Sequence, residues 1–165
     1  MSSKNYFLTK EVVQKKLQRM AYEILERNAD EDEIILAGIK DNGLVIAKKM
    51  AELLQPVYKG QINLMEISID KKGLSEISLS PAMDLNDKVI IVADDVVNEG
   101  RTLLYAIKPM LSFFPKKIQT LVLVERTHKA FPVTSDYVGL SVATTFQEHI
   151  IVEVDGDEIN GAYMI

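Results

Sequence analysis

Apolar and polar residues follow each other along this chain in blocks that predict alternating strands and helices. Residues 34–39 form an apolar run of strand length, and residues 43–54 repeat apolar positions at the spacing of one helix face. Residues 62–69 partly alternate, which indicates a second strand, and residues 89–93 form another apolar run. This middle part of the chain therefore predicts a strand–helix–strand unit and a further buried strand.

The flanking segments extend the same alternation. Thr9 is a suitable N-cap for a helix that runs to about Asn28, and another helix is predicted after Thr102. The polar segment 70–87 is predicted to be a long functional loop. Further strands are predicted at residues 118–124, 137–143 and 150–154. Strands alternating with helices predict an α/β fold with a doubly wound, mostly parallel sheet.

Composition narrows the class of protein. The chain has 165 residues, 47% of them hydrophobic, so residues 1–165 are predicted to form a single domain. The absence of cysteine removes disulfides, thiolate nucleophiles and cysteine-based zinc sites. The polar start and the strand-length apolar runs match neither a signal peptide nor a membrane span. We therefore expect a cytoplasmic protein with no membrane partner.

The charge of the chain bears on nucleic-acid binding. A net charge of −5 argues against indiscriminate binding, which needs concentrated positive charge. Four basic residues nevertheless lie close together on the first predicted helix: Lys10, Lys15, Lys16 and Arg19. We interpret them as a solvated helix face, and the alternative is a local basic surface.

Residues 88–102 hold the most informative chemistry. A buried strand ends there in Asp94 and Asp95, and a short loop then opens a helix. The carboxylates can accept hydrogen bonds from sugar hydroxyls, while backbone N–H groups and the side chains of Arg101 and Thr102 can hold a phosphate. The segment therefore predicts a sugar-phosphate site. The alternative is an ordinary strand–loop–helix junction in which the aspartates cap the helix.

A second loop, residues 38–43, follows the first predicted strand and is bounded by two glycines. Glycines let the backbone approach a ligand closely, and the N-terminus of the following helix favours anions. In a parallel sheet, this loop and residues 88–102 would emerge at the same carboxyl edge, where open α/β folds bind ligands. Taken alone, the loop is equally well explained as a tight turn.

Residues 88–102 resemble the phosphoribosyl pyrophosphate (PRPP) motif of type I phosphoribosyltransferases, in which two acidic residues follow an apolar strand and precede Thr-Gly. Residues 38–43, 21–28 and 125–139 resemble the bifunctional pyrimidine operon attenuation regulator/uracil phosphoribosyltransferase family. The resemblance implies the type I phosphoribosyltransferase fold with a small hood built from the chain ends. It also implies a Mg²⁺-dependent enzyme that transfers phosphoribosyl from PRPP to a nucleobase, with uracil the expected base, giving UMP and pyrophosphate.

The same resemblance implies the site residues. The catalytic residues are Asp94, Asp95 and Lys71, with the two aspartates assisting the metal indirectly, through PRPP or water. The ribose 5-phosphate of PRPP is bound by Asp94, Asp95, Val96, Val97, Asn98, Glu99, Gly100, Arg101 and Thr102. Its pyrophosphate is bound by Gly38, Ile39, Lys40, Asp41, Asn42 and Gly43. The base is bound by Arg126, Thr127 and His128, and we favour a positioning role for His128 over that of a general base.

Several positions depart from the family pattern. Glu99 stands where the family has threonine, and Asp41 and Asn42 stand where it usually has Thr-Arg. A carboxylate beside a phosphate repels it. A further departure is the mobile loop expected over residues 67–87, which is shorter than in typical members of the family. Asn98 stands where purine-specific members carry an acidic residue that acts on the purine ring, which disfavours a 6-oxopurine substrate.

Three alternatives to a uracil phosphoribosyltransferase stay open. They are an RNA-binding attenuation regulator that senses nucleotides, a catalytically weak relative that binds a nucleotide, and a phosphoribosyltransferase for another base. The expected partners are PRPP and a nucleobase or nucleotide. RNA ranks below these because of the net charge of −5. A homodimer is also expected, in which two copies could bring the basic helix faces together.

Overall fold

Two sheets organise the part of the chain that the computed structural model describes, which is residues 3–70, 76–145 and 147–165. In chain order the elements are β1 (Tyr6–Thr9), α1 (Lys10–Asn28), β2 (Glu33–Ile39), α2 (Asn42–Leu54), β3 (Gln61–Ile69), β4 (Ile77–Ser80), β5 (Val89–Val97), α3 (Arg101–Ile107), a 3₁₀ turn (Lys108–Ser112), β6 (Lys117–Arg126), β7 (Tyr137–Val142), β8 (Ile150–Asp155) and β9 (Glu158–Met164). Within these residues, no helix is long and apolar enough to cross a membrane.

The larger sheet has six strands in the order β4-β3-β2-β5-β6-β7. All neighbouring strands in it are parallel except β3 and β4, which are antiparallel. The chain runs from β2 through α2 to β3, which lies on one side of β2. The strands β5, β6 and β7 then follow in order on the other side of β2. The predicted α/β fold with a mostly parallel sheet is therefore confirmed, and β2 and β5 form the switch point at which open sheets bind ligands.

Both faces of this sheet are covered by apolar side chains. Along β2, Ile34 and Leu36 point to the face that carries α1 and α2, whereas Ile35, Ala37 and Ile39 point to the face that carries α3. Because successive side chains of a strand alternate between faces, a continuous apolar run is what a strand covered on both sides requires. The central strands therefore hold their carboxyl ends in fixed positions.

The smaller sheet comes from the two chain ends. It has three antiparallel strands in the order β1-β9-β8, and we call it the hood. Its buried residues Leu8, Val152 and Ala162 join the same core as α1 and α2. The predicted hood is therefore present, and it stands beside the carboxyl end of β5, since β5 and β8 are in contact.

One predicted connection is wrong in part. Segment 70–87 was expected to be a loop, but Ile77–Ser80 forms β4 and pairs with β3 from Ile69 opposite Ile77 to Glu66 opposite Ser80. Ile77 and Leu79 alternate with serines and pack on the core, which is the period-2 pattern of a half-buried edge strand. The shortness of the strand and its serine content concealed that pattern in the sequence.

Candidate active site

Two loops meet at the carboxyl edge of the larger sheet. One is residues 38–43 after β2 and the other is residues 97–101 after β5, and the two strands are adjacent and parallel with Gly38 opposite Ala93. The Lys40–Asp41 peptide bond in the first loop is cis. The expected meeting of the two loops is therefore observed.

Gly43 explains how closely the first loop approaches β5. A Cβ atom at this position would lie 2.5 Å from the carbonyl oxygen of Ala93, which no side chain can tolerate. The start of α2 therefore packs directly on the backbone of β5, immediately before its two carboxylates. The glycine serves this contact between helix and strand in addition to any contact with a ligand.

Asp94 and Asp95 differ in their surroundings. The side chain of Asp94 is buried, and its Oδ1 accepts a hydrogen bond from the backbone N–H of Asp95 at 2.8 Å. Burial, followed by the nearby charge of Asp95, raises the pKa of the Asp94 carboxyl well above its ordinary value. Asp95 is less buried, and its Oδ1 accepts from the backbone N–H of Val96 at 2.8 Å. The pair therefore combines a buried carboxyl, in which burial disfavours the charged form, with a more accessible carboxyl that accepts a backbone hydrogen bond.

A cavity of about 150 Å³ follows the carboxylates and is lined by Asp94 and by residues 96–103. Gly100 bounds it with a φ of 92°, a left-handed conformation that favours glycine. A Cβ atom there would also lie 2.7 Å from Cγ1 of Val133. The loop therefore closes tightly before α3, and its backbone surrounds a space suited to one phosphate group.

Glu99 and Arg101 contact each other at the rim of this cavity. The Arg101 Nε atom lies 3.1 Å from Glu99 Oε1, and the guanidinium stacks over the ring of Phe131 at 4.9 Å. The two side chains are about half exposed, at 53% for Glu99 and 52% for Arg101. The predicted phosphate ligand Arg101 is therefore engaged by its own neighbour in the structure, and the carboxylate that departs from the family pattern is paired.

A larger cavity of about 540 Å³ adjoins the first one. Its walls come from the loop after β5, the end of β6, the β7–β8 connection and the hood. The lining residues are Asn98, Glu99, Arg126, Thr127, His128, Thr144, His149, Ile150, Ile151 and Ile165. Asn98 and Glu99 line both cavities, so the two spaces meet at the loop after β5.

Arg126 fastens the wall of this larger cavity. Its Nε atom donates to Asn98 Oδ1 at 2.8 Å, one terminal nitrogen donates to the carbonyl of Thr145 at 3.0 Å, and the other donates to the carbonyl of Glu148. A planar guanidinium can serve several acceptors at once, whereas an ammonium cannot hold this geometry. Arg126 therefore borders the cavity as predicted, but its contacts in the structure are to the protein.

The structure brings most predicted site residues to one edge of the sheet. The residues predicted to bind sugar phosphate, pyrophosphate and base lie on three adjoining loops there, whereas the predicted catalytic Lys71 lies outside the described residues. Sequence reasoning missed four residues of the larger cavity that lie in the hood or directly beside it, which are His149, Ile150, Ile151 and Ile165. They reach the cavity through the pairing of β8 with β9 and through the two hydrogen bonds between the backbones of His149 and Ile165.

The basic residues of α1 are partly engaged in structural contacts. Arg19 donates to the carbonyls of Val138 and Gly139, each at 3.0 Å, and pairs with Glu23 at 2.6 Å. Lys10 lies 3.5 Å from Glu158. Arg19 thus joins α1 to β7, which supports the interpretation of this cluster as an ordinary helix face.

Comparison with known proteins agrees with this geometry. Residues 7–156 match the phosphoribosyl transferase domain family. The bifunctional protein PyrR of Clostridium acetobutylicum is 36% identical over 166 residues, covering 94% of this chain and 93% of the relative. The pyrimidine operon regulatory protein of Lactococcus lactis subsp. cremoris is 34% identical over 154 residues, covering 90% and 89% of the two chains.

A solved structure shares the fold. The hypoxanthine phosphoribosyltransferase of Trypanosoma cruzi matches with a TM-score of 0.82 over 98% of this chain and 96% of the other, at 15% sequence identity. The predicted fold and family are thus confirmed by the match over residues 7–156 and by relatives at about one-third identity. This chain belongs to the phosphoribosyltransferase family.

Proposed function

We propose that this protein transfers phosphoribosyl from PRPP to uracil, giving UMP and pyrophosphate. One observation carries the proposal: a phosphate-sized cavity and a larger cavity meet at Asn98 and Glu99, beside the Asp94–Asp95 pair. A sugar that spans the two cavities would place its 5-phosphate in the smaller one and its anomeric carbon toward the larger one. The base then occupies the cavity walled by β6 and the hood.

The reaction needs orientation more than a reactive side chain. A bond forms between the anomeric carbon and N1 of uracil, the bond from that carbon to the pyrophosphate oxygen breaks, and the N1 proton of uracil passes to the departing pyrophosphate. Asp94 and Asp95 accept hydrogen bonds from the ribose hydroxyls, and residues 38–43 hold the departing pyrophosphate with backbone N–H groups. The hood excludes water from the base, which protects the anomeric carbon from hydrolysis.

We infer Mg²⁺ as the cofactor, held mainly by oxygens of PRPP and by water. Within the described part of the chain, no three His, Asp or Glu side chains come together to hold a metal. The Asp94–Asp95 pair fits an ion that takes one or two carboxylates and otherwise keeps water and substrate phosphates. When bound, Mg²⁺ neutralises charge on the leaving pyrophosphate.

The contacts of Asn98 support a pyrimidine as the base that the protein uses as substrate. Arg126 can only donate, so the Asn98 oxygen is the atom that meets it at 2.8 Å, and the Asn98 amide nitrogen is left to donate elsewhere. A donor at the junction of the two cavities suits the carbonyl oxygen next to N1 of uracil. A carboxylate, which could accept a proton from a purine, is absent from this position.

Binding by calorimetry tests the sugar-phosphate site. Replacing Asp94 and Asp95 together with asparagine should weaken PRPP binding in the presence of Mg²⁺ by about 1–3 kcal/mol, the scale of charge-assisted hydrogen bonds. Equal affinity of the double variant and the parent protein would remove these residues from the site.

RNA binding is a second candidate function, because relatives carry the names bifunctional protein and pyrimidine operon regulatory protein. The net charge of −5 and the engagement of Arg19 and Lys10 in protein contacts weigh against it. A gel-shift titration against a pyrimidine-operon leader RNA, with and without UMP at two salt concentrations, distinguishes the two. Sub-micromolar binding that UMP strengthens and that survives physiological salt would make regulation the primary function.

A further inference from the structure

Asn42 joins three parts of the site through one side-chain amide. It is the first residue of α2, and its Nδ2 atom donates to Asp95 Oδ2 at 2.9 Å and to the carbonyl oxygen of Val152 in β8 at 3.2 Å. Carboxylate and carbonyl oxygens only accept, so the amide nitrogen is the atom that meets them, and each of its two hydrogens has an acceptor. The pyrophosphate loop, β5 and the hood are thereby linked at a single atom.

The contact with Asp95 fixes the direction of that carboxylate. Its Oδ2 accepts from Asn42 and its Oδ1 accepts from the backbone N–H of Val96 at 2.8 Å, so each oxygen has one donor. Each carboxylate oxygen has a second lone pair, which stays available for a hydroxyl. The neighbouring Asp94 is buried with its Oδ1 on the backbone of Asp95, so Asp95 is the more accessible carboxylate of the pair.

The second bond gives the amide its own support. Val152 is 5% exposed and pairs with Ala162 of β9 within the hood, so its backbone is held in place by the sheet. Because both of its hydrogens are bonded, the Asn42 amide resists rotation. It therefore holds the Asp95 carboxylate in one orientation. A group that is positioned before the ligand arrives loses little entropy on binding.

We propose that Asn42 is a positioning residue for ribose binding, which acts by holding Asp95 in the orientation that accepts the sugar hydroxyls. This inference rests on the proposed function, which assigns the ribose hydroxyls to the Asp94–Asp95 pair. It differs from a role in binding pyrophosphate, because the contact runs to the sugar carboxylate and to the hood. Loss of the amide should therefore weaken binding of the sugar and leave binding of phosphate at residues 96–102 unchanged.

Two probes separate these effects, ribose 5-phosphate and inorganic phosphate. Each is titrated by NMR and followed at the backbone amides of residues 96–102, so that phosphate bound at residues 38–43 is not counted. Asn42→Leu keeps the branched shape at Cγ in a somewhat larger side chain and removes both donors, so we expect the dissociation constant for ribose 5-phosphate to rise about tenfold. The dissociation constant for inorganic phosphate should stay within about twofold of the parent value, the scatter expected for an untouched site. Asn42→Asp, which sets a carboxylate against Asp95, should weaken ribose 5-phosphate binding at least as much.

Further variants keep the test decisive. Asn42→Ser, whose hydroxyl is too short to reach Asp95, should weaken ribose 5-phosphate binding as the leucine variant does, and it serves if the leucine variant does not fold. Asn5→Ala, which removes an exposed amide from the polar segment before β1, should bind both probes as the parent protein does.

The outcomes are distinct. Equal affinity of the parent protein and Asn42→Leu for ribose 5-phosphate overturns the positioning role alone, and so does a parallel loss of both probes, which indicates a general structural role. A parent protein that binds neither ribose 5-phosphate nor PRPP overturns the proposed function and this inference together.

Discussion

Among single residues, Asp94 has the most unusual electrostatics. The residue is 9% exposed, and burial and the charge of Asp95 raise the pKa of its carboxyl well above the ordinary value. At pH values between the ordinary pKa of aspartate and the raised pKa, the folded protein therefore keeps a proton that the unfolded chain has released. The stability that this proton supplies is complete below the ordinary pKa of aspartate and is lost as the pH rises through the raised pKa of the folded state. Asp94 therefore contributes less to stability at higher pH, where its buried carboxyl ionises.

Asp94→Asn should accordingly stabilise the ligand-free protein at neutral and higher pH. The amide oxygen can still accept the N–H of Asp95, while the cost of burying a charge disappears, so we expect a gain of about 1 kcal/mol or more. Thermal unfolding from pH 5 to 8 checks this, because the gain over the parent protein should grow with pH. A variant that is less stable than the parent protein at pH 8 would contradict the assignment.

Glu99 should limit affinity for phosphate. Its carboxylate lies at the rim of the smaller cavity and pairs with Arg101, which withholds that guanidinium from the ligand. Glu99→Thr removes the repulsion and frees Arg101, so ribose 5-phosphate should bind about twofold to fivefold more tightly, a modest effect because both groups are half exposed. Glu52→Thr, at an exposed position of α2, is the control in the same calorimetric titration. Weaker binding by Glu99→Thr would mean that the carboxylate contributes to the site.

Between elements, the contacts of Arg126 hold the end of β6 to the segment before β8. Arg126→Lys keeps the charge but cannot serve Asn98, Thr145 and Glu148 together. The wall of the larger cavity should loosen, which raises the KM for the base about tenfold, the scale of one lost charged hydrogen bond, and leaves the KM for PRPP nearly unchanged.

Arg19→Lys is the matched control for that experiment. Arg19 also donates to two backbone carbonyls, those of Val138 and Gly139, but it does so from α1 and does not line the cavity. Steady-state kinetics with the base varied should show the parent KM for this variant. If both variants raise the KM for the base equally, the effect comes from general loosening of the fold.

Helices and strands with a strong local pattern could be predicted from the sequence, whereas the strands of only four residues could not. The apolar run of β2 and the N-cap Thr9, whose side chain accepts from the N–H of Val12, are encoded within a few neighbouring residues. The edge strand β4 and the strand β1 have only four residues each, and their pairing partners decide whether they form. Such strands depend on tertiary contacts that no local pattern records.

At the scale of the whole molecule, one part of the candidate site likewise follows from a local sequence motif, and the other part depends on tertiary contacts. Residues 88–102 form one local strand–loop–helix motif, so its two carboxylates and the loop proposed to bind phosphate could be predicted from the sequence directly. The larger cavity is assembled from β6, the β7–β8 connection and the hood, and its residues His149 and Ile151 follow no motif. Asn42 shows the same limit, because its contact with Asp95 spans 53 residues. The single domain and the homodimer expected from the sequence stay predictions.

Formation of UMP is the measurement that bears most directly on the proposed activity. The purified protein is incubated with PRPP, Mg²⁺ and one base at a time, namely uracil, hypoxanthine, guanine or xanthine, and nucleotide and pyrophosphate are both quantified. We expect uracil to give UMP and pyrophosphate in equal amounts, at a higher kcat/KM than any purine. The variant with Asp94 and Asp95 both replaced by asparagine should lose most of this turnover. Pyrophosphate release that depends on a purine, or UMP binding with no turnover of any base, would contradict the proposed function.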